Sequence, residues 1–225
     1  MKDYNQYCPI ARTSEFFAER WTPIIVRNLL AGCRTFTEIR AGAPGIPKAL
    51  LSDRLTTLER QGIVERVAGP ARRHRWELTP KGAALKMVCD AMGEWGARWL
   101  ELEPRHLDPA YAVWATCRLV DLTKVPSPGV VVRVDLLDGP AVQSLWMMLI
   151  QPRSEVCTTS QGRSDDLVLR TDAETLVDYN LRRITFHAAI RAGRASIDGP
   201  KDLARQFPTW LRPSPFAHVP RADDR

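Results

Sequence analysis

The chain has 225 residues, 44% apolar and 26% charged, a globular composition long enough for one large or two small domains. No run approaches the roughly 18 apolar residues of a bilayer span, and the start, MKDYNQYCPIARTSEFF, has no apolar core of signal-peptide length. A cytoplasmic protein without a membrane partner is therefore expected. Net charge is +6, and 9 basic residues stand against 4 acidic ones between positions 34 and 75, which points to a polyanionic partner.

Five scattered cysteines include no C-x-x-C pair, and the four histidines have no ligand spacing, so no disulfide framework, metal or cofactor is expected. No paired acids, Ser/His/Asp set or phosphate loop stands out, and the chain does not read as an enzyme. Asp165 and Asp166 read as solvated surface charge.

Proline follows a helix-starting residue at 8–9, 22–23, 79–80, 108–109 and 199–200, and each pair predicts a helix N-terminus. The first helix covers about 9–20, with Ile10, Phe17 and Trp21 inward. The second covers about 23–31, with Ile25 and Leu29 inside. A short third at about 35–41 buries Phe36 and Ile39, and the loop GAPGI leads to a fourth at about 47–61. There Leu51, Leu55 and Leu58 share one face, and Gly62 supplies the left-handed stop.

The apolar period then changes to two. IVERV, AGPARRH and RWELT read as a basic hairpin with Ile63, Val67, Trp76 and Leu78 on its apolar side and Gly69-Pro70 at the turn. A long helix from about 80 to 100 carries Leu85, Val88, Met92, Trp95 and Trp99 at intervals of 3, 4, 3 and 4. A small domain has little core left for such a ridge, so it reads as a dimer interface rather than an inward face.

The polar stretch ELEPRHLDP places a boundary near 102–108, giving domains at 1–102 and 108–212 and a mobile tail at 213–225. Beyond the boundary a helix at about 109–121 precedes strands at 130–137, 142–150, 155–159 and 166–171. Helices at about 174–183 and 186–193, a short strand at 195–197 and a last helix from 200 to 211 follow. Strands followed by helices predict an α+β domain.

A short helix stopped by glycine and followed at once by an arginine-tipped hairpin has a physical purpose. A helix about 10–12 Å wide fits the major groove of duplex DNA. Its leucine stripe anchors it, and the early reversal lays the hairpin beside the same duplex. With the leucines inward, Ala49, Asp53, Thr56 and Thr57 point most directly outward, while Arg54 sits on the flank, open to a DNA contact or to a salt bridge within the fold. Asp53 suits a cytosine amine better than a phosphate.

The fragments CPI at 8–10, ERWTPIIVRNLL at 19–30, RTFTEIR at 34–40, PGIPKALLSDRLTTLERQGIVER at 44–66 and WELTPKG at 76–82 resemble the HxlR family of winged-helix bacterial regulators. The resemblance covers about residues 8–100. It implies an N-terminal winged helix-turn-helix and a homodimer, built by the N- and C-terminal helices, on pseudo-palindromic double-stranded operator DNA. Carried over by position, Lys48, Ser52, Arg54 and Thr57 lie on or near the groove helix. Thr35 and Arg40 on the preceding helix are placed to hold phosphates, although Thr35 equally suits a helix cap. Arg72, Arg73 and Arg75 are the expected wing contacts.

Cys8 precedes the first helix, where unpaired amides favour an anionic sulfur. Some members of the resembled family sense oxidants or electrophiles with a cysteine here; the other reading is a small capping residue. Ordinary family members end soon after the long helix, and this chain runs on for about 110 residues. That extension resembles a sterol-carrier-like domain in DLVLRTDAETLVDYNLRRITFHAAIRAGRASIDGPKDLARQFPTWL, including a G-R-x-x-x-x-G turn. The resemblance implies a cavity for a hydrophobic small molecule, with Trp146, Met148, Phe186, Ile190, Phe207 and Trp210 as lining candidates, each of which also suits an ordinary core. The expected function is a transcriptional regulator whose DNA affinity answers to that ligand or to Cys8. The alternative is a lipid-binding carrier in which the winged helix serves only dimerisation.

Overall fold

The computed structural model describes residues 3–69 and 74–222. The chain falls into two compact units, Met1–Gly96 and Ala97–Arg225. Among the described residues no helix is long and apolar enough to cross a membrane.

The first unit opens with α1 (Pro9–Phe17), α2 (Thr22–Leu30), α3 (Phe36–Ala41) and α4 (Lys48–Arg60). Ile25, Val26 and Leu29 of α2, Ile39 of α3, and Leu51, Leu55 and Leu58 of α4 form its core. Asn28, fully buried, donates to the Ile39 carbonyl at 2.8 Å and accepts from Arg27, which also reaches the Gly42 carbonyl at 2.6 Å. These polar bonds fix α2 against the end of α3. The inward expectation for α1 fails at Ile10, which is 77% exposed; of that helix only Phe17 is buried.

Gly62, at φ +65°, donates to the Glu59 carbonyl while Ile63 N–H donates to that of Leu58, both at 2.9 Å. This pair of hydrogen bonds is the Schellman ending expected of glycine just past a helix. The antiparallel hairpin follows as β1 (Val64–Ala68) and β2 (His74–Leu78). Its pairing corrects the sequence expectation. Arg66 lies opposite Trp76 and Val64 opposite Leu78, whereas Val67 pairs with Arg75. Ile63 is held back by the helix ending, so the strand starts one residue later and its faces exchange.

The long helix predicted from position 80 is two helices, α5 (Pro80–Ala83) and α6 (Lys86–Trp99). Gly82 presses on the hairpin: a Cβ there would stand 2.0 Å from the Ile63 carbonyl oxygen. Thr79 donates to the Gly62 carbonyl at 2.7 Å and caps Gly82 N–H at 3.1 Å. The first turn therefore belongs to the base of the hairpin, and a new helix begins after Leu85.

The second unit contains α7 (Pro109–Arg118), β3 (Val130–Leu136), β4 (Gln143–Ile150), β5 (Arg153–Cys157) and β6 (Leu167–Thr171). After them come α8 (Ala173–Asn180), α9 (Phe186–Arg191), β7 (Ala195–Asp198) and α10 (Lys201–Trp210). The sheet order is β5-β4-β3-β6-β7, with β3 and β6 parallel and the other pairs antiparallel. Val130, Val132, Val134, Leu145, Met147, Leu149, Leu167 and Leu169 form one core with helix residues that include Val113, Leu176, Phe207 and Trp210.

Strand alternation sends Arg133, Asp135, Trp146, Met148 and Arg170 to the other face. There a chain of opposite charges runs from Asp165 to Arg133 at 2.8 Å, to Asp135 at 3.1 Å, to Arg170 at 3.8 Å and on to Asp198. Asp165 also accepts from the Trp146 indole at 2.8 Å, and Asp166 accepts from Val131 N–H at 2.8 Å. These two aspartates are thus structural groups, not the solvated pair expected.

The G-R-x-x-x-x-G run has a local cause at each end. Arg194 donates to Thr175 and Asp178, both at 3.0 Å, tying the turn to α8. Gly199 adopts φ +142°, and a Cβ there would meet the Asp166 carbonyl oxygen at 2.6 Å. The expected mobile tail is stitched down as far as it is described. Arg212 N–H donates to Leu119 at 3.0 Å, Ser214 N–H to Asn180 at 2.7 Å and Ala222 N–H to Arg98 at 3.0 Å. Residues 223–225 lie outside the described residues. The division between units falls inside α6, whereas the sequence places the boundary near 102–108.

Candidate nucleic-acid interface

Helix α4 buries Leu51, Leu55 and Leu58 and exposes Lys48, Ala49, Ser52, Asp53, Thr56 and Arg60 on its opposite side. Thr57 is half-buried and accepts from Arg60 at 3.4 Å. Arg60 is absent from the sequence-derived set, yet its place was there to be read: positions 49, 53, 56 and 60 repeat at 4, 3 and 4. Arg40, on α3, is exposed.

Two of the expected contacts are engaged with the protein. Thr35 caps α3, its hydroxyl accepting from Glu38 N–H at 3.2 Å while Glu38 accepts from Thr35 N–H at 2.8 Å, a reciprocal capping box. Arg54 turns away from the outward row and donates to Glu19 Oε2 at 2.8 Å and to the Arg20 carbonyl at 3.3 Å. In the hairpin, Arg66 lies over the Trp76 ring at 4.7 Å and pairs with Glu59 at 3.3 Å. Trp76 N–H donates to the Arg34 carbonyl at 2.7 Å, fixing the hairpin to the segment ahead of α3. Arg75 is half-buried opposite Val67. Arg72 and Arg73 lie outside the described residues.

No described side chain of α6 is fully buried. Met92, Trp95 and Trp99 of the predicted seam are 50%, 60% and 57% exposed, while Leu85 and Val88 are half-buried. Near the other end of the unit Tyr7 and Ile10 are bare as well. Cys8 between them occupies the N-cap of α1, half-buried, with no side-chain capping bond. Beside it, Pro9, Arg12, Thr13, Glu15, Phe16, Gln61 and Lys81 line a cavity of about 290 Å³. The other thiols sit differently. Cys33 is buried, burial pushes Cys117 up to about 12, and burial also raises Cys89 and Cys157.

The six lining candidates of the second unit do not come together. Phe186, Phe207 and Trp210 stack edge to face, with centroids 5.9 Å apart in both pairs, and Tyr179 meets Phe186 at 5.5 Å. Ile190 is 40% exposed. Trp146 and Met148 stand on the sheet's charged face, because they alternate with Leu145, Met147 and Leu149 of the core.

The family model described as HxlR-like helix-turn-helix matches residues 16–104. The uncharacterized HTH-type transcriptional regulator YvaP of Bacillus subtilis (strain 168) is 34% identical over 107 residues, which make up 46% of this chain and 97% of YvaP. The HTH-type transcriptional regulator YodB of the same organism is 33% identical over 100 residues, covering 43% of this chain and 89% of YodB. A crystal structure of quinone-bound YodB from B. subtilis, 34% identical, covers 40% of this chain and 96% of its own, with a TM-score of 0.35. All three matches span less than half of this chain. Since the match takes in nearly the whole of YvaP, the chain belongs to the HxlR-like helix-turn-helix family of bacterial transcriptional regulators.

Proposed function

We propose that the protein regulates transcription by binding pseudo-palindromic duplex DNA as a homodimer, with α4 in the major groove and the β1–β2 hairpin along the adjacent backbone. The carrying observation is the two-sidedness of α4. Its leucines are buried, and its opposite side presents Lys48, Ala49, Ser52, Asp53, Thr56 and Arg60 to solvent. In this reading Ser52, Asp53, Thr56 and Thr57 meet base edges. Arg40, Lys48, Arg60, Arg72, Arg73 and Arg75 meet phosphates, and Thr35 orients α3. The bare Met92, Trp95 and Trp99 supply the seam between copies.

The regulatory input enters at Cys8 or through the second unit. Cys8, half-buried at the N-terminus of α1 and next in the chain to Pro9 of the cavity lining, supports the first route. For the other route the second unit is taken as sterol-carrier-like: helices cover one face of its sheet, and an apolar ligand would reach that layer by opening the stack of Phe186, Phe207 and Trp210. A ligand shifts DNA affinity only by binding one dimer geometry better than another.

The test is selection of duplexes from a random pool, followed by affinity measurements against salt. The six cations assigned to phosphates make twelve in a dimer, and with roughly 6–8 of them seated on phosphates log K falls with log salt at a slope of about −5 to −7. Affinity that ignores salt, or a pool from which nothing is enriched, rejects the reading in favour of a carrier whose winged helix only dimerises.

A further inference from the structure

We propose that Arg54 is a positioning residue of the recognition helix and not a DNA contact; this rests on the DNA-binding reading above. Arg54 sits beside the outward Asp53, where a long cation would be expected to reach a phosphate. The guanidinium turns back instead. Its Nη2 donates to Glu19 Oε2 at 2.8 Å and its Nε to the Arg20 carbonyl at 3.3 Å, leaving the side chain 22% exposed. Two donors thus grip two consecutive residues of the corner between α1 and α2.

That corner has a conformation of its own. Trp21 adopts φ +77°, a left-handed setting that a bulky side chain rarely takes and that persists only where its surroundings fix it. The Arg20 guanidinium lies 5.5 Å from the centre of the Trp21 ring. The corner is therefore a defined anchor.

Helix α4 needs such an anchor. Its inner face is held by Leu51, Leu55 and Leu58, and apolar burial is not directional. Leucines keep the helix on the body but leave its rotation and axial position loosely set. A charge-assisted bond from a planar guanidinium is directional and sets both. Base reading demands placement within about 0.5 Å. In this arrangement the Glu19–Arg54 bond fixes the angle at which Ser52, Asp53 and Thr56 face the groove.

The experiment uses the full chain and a duplex that the wild type selects from a random pool. Affinity is measured as a function of salt for Arg54→Gln, Glu19→Gln and the double variant. Each single substitution is expected to weaken binding by about tenfold, on the order of one charge-assisted hydrogen bond. The salt slope stays at its wild-type value, and the double variant is no weaker than either single one. A phosphate-contacting Arg54 gives the opposite pattern. Arg54→Gln then flattens the slope by about 2 per dimer and Glu19→Gln, which leaves the arginine in place, changes nothing. Glu19→Gln decides the matter even where Arg54→Gln fails to fold, and a silent Glu19→Gln overturns the proposal. If the wild type selects no duplex, the DNA-binding reading falls first and takes the proposal with it.

Discussion

In the proposed dimer, replacing Trp95 by alanine should weaken the association of the two copies. Trp95 is 60% exposed on α6, and an indole side chain carries up to roughly 250 Å² of surface, so about 150 Å² is available for a second copy to cover. At about 25 cal/mol per Å² that is worth 3–4 kcal/mol. In a two-fold symmetric interface the loss counts twice, giving an upper bound of about 7 kcal/mol. Incomplete coverage and repacking reduce it, and a floor of about 2 kcal/mol still weakens dimerisation roughly 30-fold. Sedimentation equilibrium on wild type and Trp95→Ala reads this directly. Met87 is the control. It is 72% exposed on the same helix but lies off the stripe of Leu85, Val88, Met92, Trp95 and Trp99, so Met87→Ala should leave the dissociation constant nearly unchanged. The reasoning fails if the two variants behave alike, or if the wild type is monomeric at micromolar concentration.

Two further outcomes concern titration and thiol access. Asp121 accepts from the Thr123 hydroxyl and pairs with Arg212, which lowers its carboxyl from an ordinary 3.8 to about 2. A lowered folded value contributes stability that is complete above the ordinary value and is lost as pH falls toward about 2. The stability advantage of wild type over Asp121→Asn should therefore shrink between about pH 4 and pH 2, as followed by acid unfolding; an advantage constant across that window refutes the assignment. Alkylation of the native chain by iodoacetamide near neutral pH, read by mass spectrometry, should modify Cys8 first and Cys117 last, since burial raises the Cys117 thiol to about 12. Early modification of Cys117 would show that α7 opens readily from the sheet.

The helical half of the first unit was legible because its signals are local. Proline after a capping residue, leucines three and four apart and a glycine stop each act within one turn of chain. The hairpin's faces were harder to read, because a single residue reverses them. Counting from Ile63 puts Val67 on the apolar side; the bond from Ile63 N–H to Leu58 delays the strand to Val64 and places Arg66 there, over the Trp76 ring. The same problem arises in β4. The run LWMMLI is apolar throughout and carries no alternation of its own, so Trp146 and Met148 look as inward as Met147. The answer lies in the neighbouring strand. Val130, Val132 and Val134 alternate with Arg133 and Asp135, and the pairing of Arg133 with Trp146 transfers that parity to β4.

Charge shows the limit of sequence reading more sharply. Nine basic residues between positions 34 and 75 suggest a surface for a polyanion, but composition does not distinguish a cation that faces solvent from one that holds the fold. Arg34 donates to the Leu29 and Cys33 carbonyls, Arg54 to the α1–α2 corner, and Arg66 covers Trp76. Arg40, Lys48 and Arg60 stand exposed. A guanidinium suits both tasks, since its planar fork matches carbonyl and carboxylate oxygens as well as phosphate. Only the position of the acceptors decides between them. The acceptors for Arg54 lie 34 and 35 residues away in the chain, beyond the reach of any local pattern. In the proposed complex the number of phosphates a dimer neutralises is accordingly smaller than its count of arginines suggests, and the salt slope should follow the exposed set.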